Sequence, residues 1–415
     1  MRLRDASGLP RVVVTGMGAV SCVGVGSAAL LDALRERRHG LRRMDAFAAL
    51  GLRGQVGGPV DADALQPEPP RSLRRFLPAP ARYAWHAANE ALAQAALAPA
   101  QLASADCGLV LGGGAALSEH EAALDNHRHR GITKVSPFTV PRGMSSALSA
   151  SLAHAFGIGG ASLTLSAACS SGAQAIGHAM ELIQLGRQHV MLAGGAEELH
   201  PSTAMWFDAM GALSPQADPA RASRPFQRER DGFALAAGAG VLVLESLQHA
   251  HERGVPVLAE LAGYGCATDA ASMVGPGAEG IARALRQALD RAGTLPGYVN
   301  AHACGTPGDL AEWQAIRNVF AECGVAAPPL SSIKGLIGHA PGAAGALDAV
   351  ACLLMLQHGF LAAGAPLDEI DPAFADAPLL AANREQRIDA ALSSSYGFGG
   401  SCAALLLRRF DGAAA

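Results

Sequence analysis

Residues 164–186 read TLSAACSSGAQAIGHAMELIQLG. A β-branched, apolar run ends in small residues, then comes Cys169, then a long pattern of helical period. This is a strand, a tight turn and a helix, with a thiol at the first helical turn. The unpaired N–H groups and the positive dipole end there favour a thiolate, so the spacing predicts a lowered Cys169 pKa and a nucleophilic sulfur. Taken alone, a cysteine among alanines and serines also reads as an ordinary buried small side chain.

Two histidines stand in comparable settings. His302 lies in GYVNAHACGTPGD (297–309), where an apolar run breaks into a Gly/Pro turn, and His339 lies in LSSIKGLIGHAPGAAGALDAV (330–350), a Gly-rich loop opening onto a helix. A single histidine so placed reads as a hydrogen-bonded core or loop residue. Three such positions, each at the end of an apolar element and each rimmed by glycine, point to one reactive crevice that a ligand can approach closely.

At 415 residues the chain exceeds one small core and suits one large domain or two fused ones. Half the residues are hydrophobic, only 16% are charged and 49 are glycine, which describes a densely packed globular enzyme and excludes a disordered or fibrous chain. A net charge of −4 supplies no basic field for nucleic acid. The eight cysteines show no CxxC spacing, which argues against a zinc site or a disulfide framework and for reduced thiols in a cytoplasmic protein. No apolar run approaches the ~20 residues that span a bilayer, and the N-terminus carries no secretory apolar segment.

Apolar strands at 11–21, 107–114 and 189–198, with a helix at 27–37, form a first α/β set. After about residue 253 the grammar restarts, with strands or strand-loops at 257–265, 297–305, 329–339, 391–400 and 402–410 and helices at 280–293, 310–323 and 342–359. Two α/β halves, 1–253 and 254–415, are expected, each with a parallel sheet covered on both faces, and their likeness suggests an internal duplication. The polar stretches 118–138 and 214–233 read as insertions that cap the site or form a dimer contact, or as solvated loops.

On these motifs the chain resembles the elongating β-ketoacyl-acyl carrier protein synthases, most closely the bacterial type I enzyme. The likeness runs from VVVTGMGAVSCVG (12–24) to SSSYGFGGSCAALLLRR (393–409) through SAACSSGAQAIGHA (166–179), AGGAEEL (193–199), FDAMGALS (207–214), ASRPFQRERDGF (222–233) and IKGLIGHAPGAAGA (333–346). It implies the thiolase fold, an α/β architecture of five αβαβα layers. It also implies an acyltransferase that condenses malonyl-carrier with an enzyme-bound acyl thioester in fatty acid elongation. Alternatives of the same lineage are a polyketide or aryl-polyene ketosynthase working with a homologous partner, and a non-catalytic chain-length partner, which typically lacks the nucleophile retained here.

The resemblance gives Cys169 the acyl thioester, His302 and His339 the malonyl carbonyl oxygen, the N–H groups of Cys169 and Phe398 an oxyanion hole, Lys334 a place in the active site and Phe398 a gate. Neutral imidazoles are required, which burial favours. No metal and no bound cofactor is implied; the substrates ride on the 4'-phosphopantetheine of acyl carrier protein. Thr306 is expected on that arm, Ala115, Thr203 and Phe207 along the acyl pocket, and Asp348 in the place of the family's glutamate, facing Lys334 directly or through water. Ala115, Thr203 and Phe207 read equally as ordinary core. Carrier docking falls to Arg71, Arg74, Arg75, Arg128, Arg130 and Lys134, which also read as a solvated face. A homodimer, or a heterodimer with a homologue, is implied.

Further departures stand out, among them Cys402 in place of the usual asparagine. Cys304 replaces a threonine in a motif one residue short, so Thr306 is left as the one hydroxyl for the arm. Trp206 is unusual beside the acyl pocket, and Tyr396 replaces the common phenylalanine, adding a hydroxyl.

Overall fold

The computed structural model describes residues 2–275 and 277–411. Ten strands carry the fold. The first five are β1 (Val12–Ser21), β2 (Cys107–Gly112), β3 (Ser162–Leu165), β4 (Val190–Glu197) and β5 (Gly238–Ser246). The second five are β6 (Ala259–Thr268), β7 (Tyr298–Asn300), β8 (Leu330–Ser331), β9 (Ala390–Gly397) and β10 (Ser401–Arg408).

The first five lie in the order β3-β2-β4-β5-β1 and the second in the order β8-β7-β9-β10-β6, joined where β1 pairs antiparallel with β6. Within each half two pairings are parallel and two antiparallel, in the same sequence: β3 with β2 and β2 with β4 parallel, β4 with β5 and β5 with β1 antiparallel, matched one for one by β8, β7, β9, β10 and β6. The same path is therefore drawn twice by one chain.

The sheets are mixed, which corrects the expectation of purely parallel ones. The reason is connection length: β9 passes to β10 through the three residues Phe398–Gly400, and a parallel return needs a crossover of a dozen residues or more. Strand β5, an apolar run reading GAGVLVLES, escaped the sequence reading and completes the first half.

The helices form three layers around the two sheets. The outermost layer on the first half holds α1 (Ala79–Gln94) against β1 and β5, and α3 (Ala147–Phe156), which follows α2 (Leu117–Arg130), against β2 and β3. At the centre lie α4 (Ser171–Gln184), which precedes α5 (Pro201–Ala209), and α8 (Ala344–His358); they touch each other and both sheets. On the far side α6 (Ala278–Ala292) covers β6 and β10, with α7 (Gly308–Glu322) beside it. Helix α8 is buried from Ala344 to Leu356, as a helix must be when it is apolar all round and sandwiched. This is the five-layer αβαβα arrangement. Among the described residues no helix is long and apolar enough to cross a membrane.

Candidate active site

The side chains singled out from the sequence sit just beyond the carboxyl ends of strands, where α/β sheets leave room for ligands. Cys169 follows β3, His302 follows β7, His339 follows β8 and its short helix, and Phe398 follows β9 directly. The turn at Cys169 is forced: Ala168 takes φ 49°, the left-handed region that a side chain rarely adopts. Ser171 holds it, its hydroxyl donating to the Ala168 carbonyl at 2.6 Å and accepting from the Ala167 N–H at 2.8 Å. Gly397 presses against it, since a Cβ there would stand 2.6 Å from the Cys169 nitrogen.

His302 is fixed through its backbone, its N–H donating to Glu312 at 2.7 Å while that of Ala303 donates to the other oxygen at 2.8 Å. His339 is fixed likewise: its N–H donates to the Ala234 carbonyl and its carbonyl accepts from Ala236, both at 2.9 Å. The two imidazoles meet edge to face with centroids 5.1 Å apart. Phe233 packs on His339 at 5.0 Å and Tyr396 on His302 at 4.4 Å.

Cys169, His302 and His339 line one cavity of about 720 Å³, shared with Phe398, Phe207, Cys304, Thr306 and Tyr396. Phe207 and Phe398 lie with ring centroids 5.9 Å apart. Both histidines enclose Nδ1 without a hydrogen-bond partner among the described residues. Ala115 and Thr203 are half-buried and lie outside this lining.

Lys334 and Asp348 are 1% exposed and joined at 2.7 Å, so the shortened carboxylate reaches the ammonium directly and no water is needed between them. Burial pushes the Asp348 carboxyl up, against the pull of Lys334. Burial, then the Lys334 cation, lowers His339 to about 3 and holds His302 well below the ordinary imidazole value. Burial, helped by the Lys334 cation, thus keeps both rings uncharged at neutral pH.

The expected lowering of the Cys169 pKa is not what this environment produces. Cys169 is 7% exposed, and burial pushes its thiol up to about 12, reinforced by Glu197 and only partly opposed by Lys334. Desolvation here outweighs the helix end, whose first residue is Ser171 and not the cysteine itself.

The basic residues lie elsewhere. Arg71, Arg74 and Arg75 are exposed around a shallow surface cavity, and Arg128, Arg130 and Lys134 are exposed at the end of α2 and beyond. Phe76 and Phe138 join the two segments edge to face at 5.3 Å, with Arg75 over both rings. A separate cavity of about 500 Å³ near the N-terminus is lined by Arg2, Arg4, Arg11 and Arg408; Arg11 and Arg408 are paired with the buried Glu260. It contains none of the residues singled out from the sequence.

Glu312 was missed by the sequence reading. Its only signal was an acid early in a helix of mixed polar and apolar residues, a place where most acids face water.

The comparisons with known proteins cover both halves. The family model "Beta-ketoacyl synthase, N-terminal domain" matches residues 10–250 and "Beta-ketoacyl synthase, C-terminal domain" matches residues 258–368. The chain is 38% identical over 408 residues to 3-oxoacyl-[acyl-carrier-protein] synthase 1 of Haemophilus influenzae, covering 97% of this chain and 100% of that protein. The crystal structure of a β-ketoacyl synthase from Burkholderia phymatum STM815 superposes with a TM-score of 0.90 at 34% identity, over 96% of this chain and 99% of that one. A type II PKS ketosynthase, in complex with its acyl-carrier protein and bound to the hexaketide, superposes at 0.86 with 30% identity, over 97% and 100% of the two chains. With the motifs, the doubled sheet and near full-length likeness in agreement, the chain belongs to the β-ketoacyl synthase family.

Proposed function

We propose that this chain is a 3-oxoacyl-acyl carrier protein synthase, an acyltransferase that lengthens fatty acyl chains by decarboxylative Claisen condensation. The observation that carries the reading is the convergence of the Cys169 thiol and two uncharged imidazoles, His302 and His339, on a single cavity that Phe398 also lines.

In the first step the Cys169 sulfur attacks an acyl thioester carried on phosphopantetheine. A C–S bond forms to Cys169, the bond to the arm's sulfur breaks, and the proton of the buried thiol ends on the departing sulfur. The N–H groups of Cys169 and Phe398 receive the carbonyl oxygen as its charge develops. In the second step malonyl-carrier loses CO2; the electrons of the broken C–C bond become an enolate whose oxygen accepts hydrogen bonds from His302 and His339 Nε2. The enolate carbon then attacks the acyl carbonyl, the C–S bond to Cys169 breaks, and the sulfur leaves as a thiolate that takes one proton from solvent. The charge that develops on each oxygen faces neutral donors. Lys334, anchored by Asp348, acts behind the rings and adds to the burial that holds them uncharged.

Halves 1–253 and 254–415 divide the labour, the first bringing the nucleophile and the second both histidines. The acidic carrier docks against Arg71, Arg74, Arg75, Arg128, Arg130 and Lys134, and Thr306 steadies its arm. Ala115, Thr203 and Phe207 border the acyl chain's path. The edge strand β3 seats a second copy: Leu163 is 54% exposed on a strand that ends the sheet.

The test is to incubate the purified chain with malonyl-carrier and a panel of acyl-carriers and to identify products by mass spectrometry. Saturated acyl chains lengthened by two carbons are expected. Activity only with a co-expressed homologue would move the chain to polyketide or polyene assembly.

A further inference from the structure

The turn that carries Phe398 stands with both feet on the segment that carries the nucleophile. It joins β9 to β10, and its feet, Gly397 and Ser401, face each other at the last register position of that pair. Gly397 presses on Cys169, where a Cβ would stand 2.6 Å from the Cys169 nitrogen. The Ser401 hydroxyl lies 2.8 Å from that of Ser170, the next residue along. Between the feet, Gly399 and Gly400 take φ 75° and 71°, a left-handed pair with freedom to pivot. The far side of the turn is met by a different loop: the Gly399 N–H donates to the Met273 carbonyl at 2.9 Å and the Gly400 carbonyl accepts from Asp269 at 2.8 Å.

The polar contact at the second foot has one direction. Ser170 is fully buried, and its hydroxyl gives its proton to the Ala167 carbonyl at 2.8 Å. A hydroxyl has a single proton, so between the two serines it is Ser401 that donates and Ser170 that accepts. The amide nitrogen of Gln174, one turn along α4 and 8% exposed, gives one hydrogen to Ser401 at 2.7 Å and the other to Ser170 at 3.1 Å. Every proton of this network has one place, and a buried network satisfied in a single way fixes geometry. Ser170, Gln174 and Ser401 do not line the cavity, so they do not meet substrate.

We propose that Gln174 and Ser401 are positioning residues: through Ser170 they lock the second foot of the Phe398 turn to the start of α4, and so set the Phe398 N–H beside the Cys169 N–H where the carbonyl oxygen of the acyl thioester arrives. The inference rests on the oxyanion role given above to those two N–H groups and adds what holds them in register. Decarboxylation directs its charge to His302 and His339 and is independent of this register.

The test separates the two half-reactions. Ser401→Ala and Gln174→Leu remove donors of the network without touching the cavity wall. Single-turnover acylation of Cys169 from an acyl-carrier, followed by intact-protein mass spectrometry, is expected to slow roughly tenfold in each, less than the loss of about 10²–10³ for deleting an oxyanion donor, because the N–H is misaligned and not removed. Ser401→Thr keeps the hydroxyl on a residue suited to a strand and is expected to acylate at close to the wild-type rate. Release of CO2 from malonyl-carrier is expected to be the same in Cys169→Ala and in Cys169→Ala combined with Ser401→Ala. A wild-type acylation rate in either Ser401→Ala or Gln174→Leu overturns the proposal, and so does an equal loss in both half-reactions, the mark of general loosening. If the wild-type chain is acylated by no carrier, the elongation reading fails; hydrogen exchange of the amides at 397–401 then decides the anchor, which stands if Ser401→Ala speeds their exchange and falls if it does not.

Discussion

Cys169 combines two demands that pull apart. It must be shielded enough for a thioester to survive, and that shielding pushes its thiol to about 12. As the proposed nucleophile, the sulfur therefore waits protonated, and its nucleophilicity appears only as the proton is handed on to the leaving sulfur. Replacing it by alanine is expected to abolish formation of the acyl-enzyme while leaving decarboxylation of malonyl-carrier measurable, since both imidazoles remain. A Cys169→Ala protein that still lengthens acyl chains would refute the assignment. His339→Ala is expected to slow decarboxylation about 10²–10³-fold, the usual loss for one donor to a developing oxyanion; release of labelled CO2 reads this directly. The pH dependence has a definite sign. His339 titrates at about 3, and the neutral ring is lost only as pH falls through that value. Decarboxylation by the Cys169→Ala protein should thus show no acid limb near the ordinary imidazole value of about 6.5, and finding one would place a normally exposed histidine at the site.

At the scale of the elements, the turn between β3 and α4 is held from two sides, by Ser171 from within and by Gly397 from the neighbouring strand. Edge strand β3 carries a different prediction. Leu163→Arg puts a cation on its exposed face and is expected to convert a dimer into a monomer in sedimentation velocity; a wild-type chain already monomeric would remove the edge from consideration. The sequence made the strand-turn-helix units legible because each announced itself by a change of period, from apolar run to helical spacing, with glycine at the boundary. The same signals marked Cys169, His302 and His339. Direction of strands was not legible, since an apolar run such as β5 is alike in both orientations, and only the three-residue link before Ser401 betrays an antiparallel return. The acidity of Cys169 was misread for a related reason: its helix was visible in sequence, whereas the depth of its burial depends on β9 and on the loop carrying His339, distant along the chain. Glu312 lay hidden because its partners are backbone N–H groups, which leave no trace in composition.

Across the whole molecule, buried charge sets the response to pH. Burial raises Glu312 from its ordinary 4.5 to about 7, against its three hydrogen bonds. A raised carboxyl favours the folded state fully below the unfolded value, and that advantage is lost as pH rises through about 7. A shift of this size corresponds to about 3 kcal/mol. Glu312→Gln cannot titrate, so its unfolding free energy relative to wild type is expected to improve by that order between pH about 4.5 and about 7.5 in urea titrations; a difference independent of pH would show that Glu312 is ionised throughout.

The two halves are stitched beside the reactive centre: the Ser401 hydroxyl, from the second half, lies 2.8 Å from that of Ser170 and accepts from Gln174 at 2.7 Å, both from the first. The sulfur belongs to one side of this seam and the imidazoles to the other. Turnover is consequently a gauge of how well the duplicate copies stay docked. On warming, catalysis and helix content should vanish in one transition, because a single apolar core runs through both copies and they cannot part without melting.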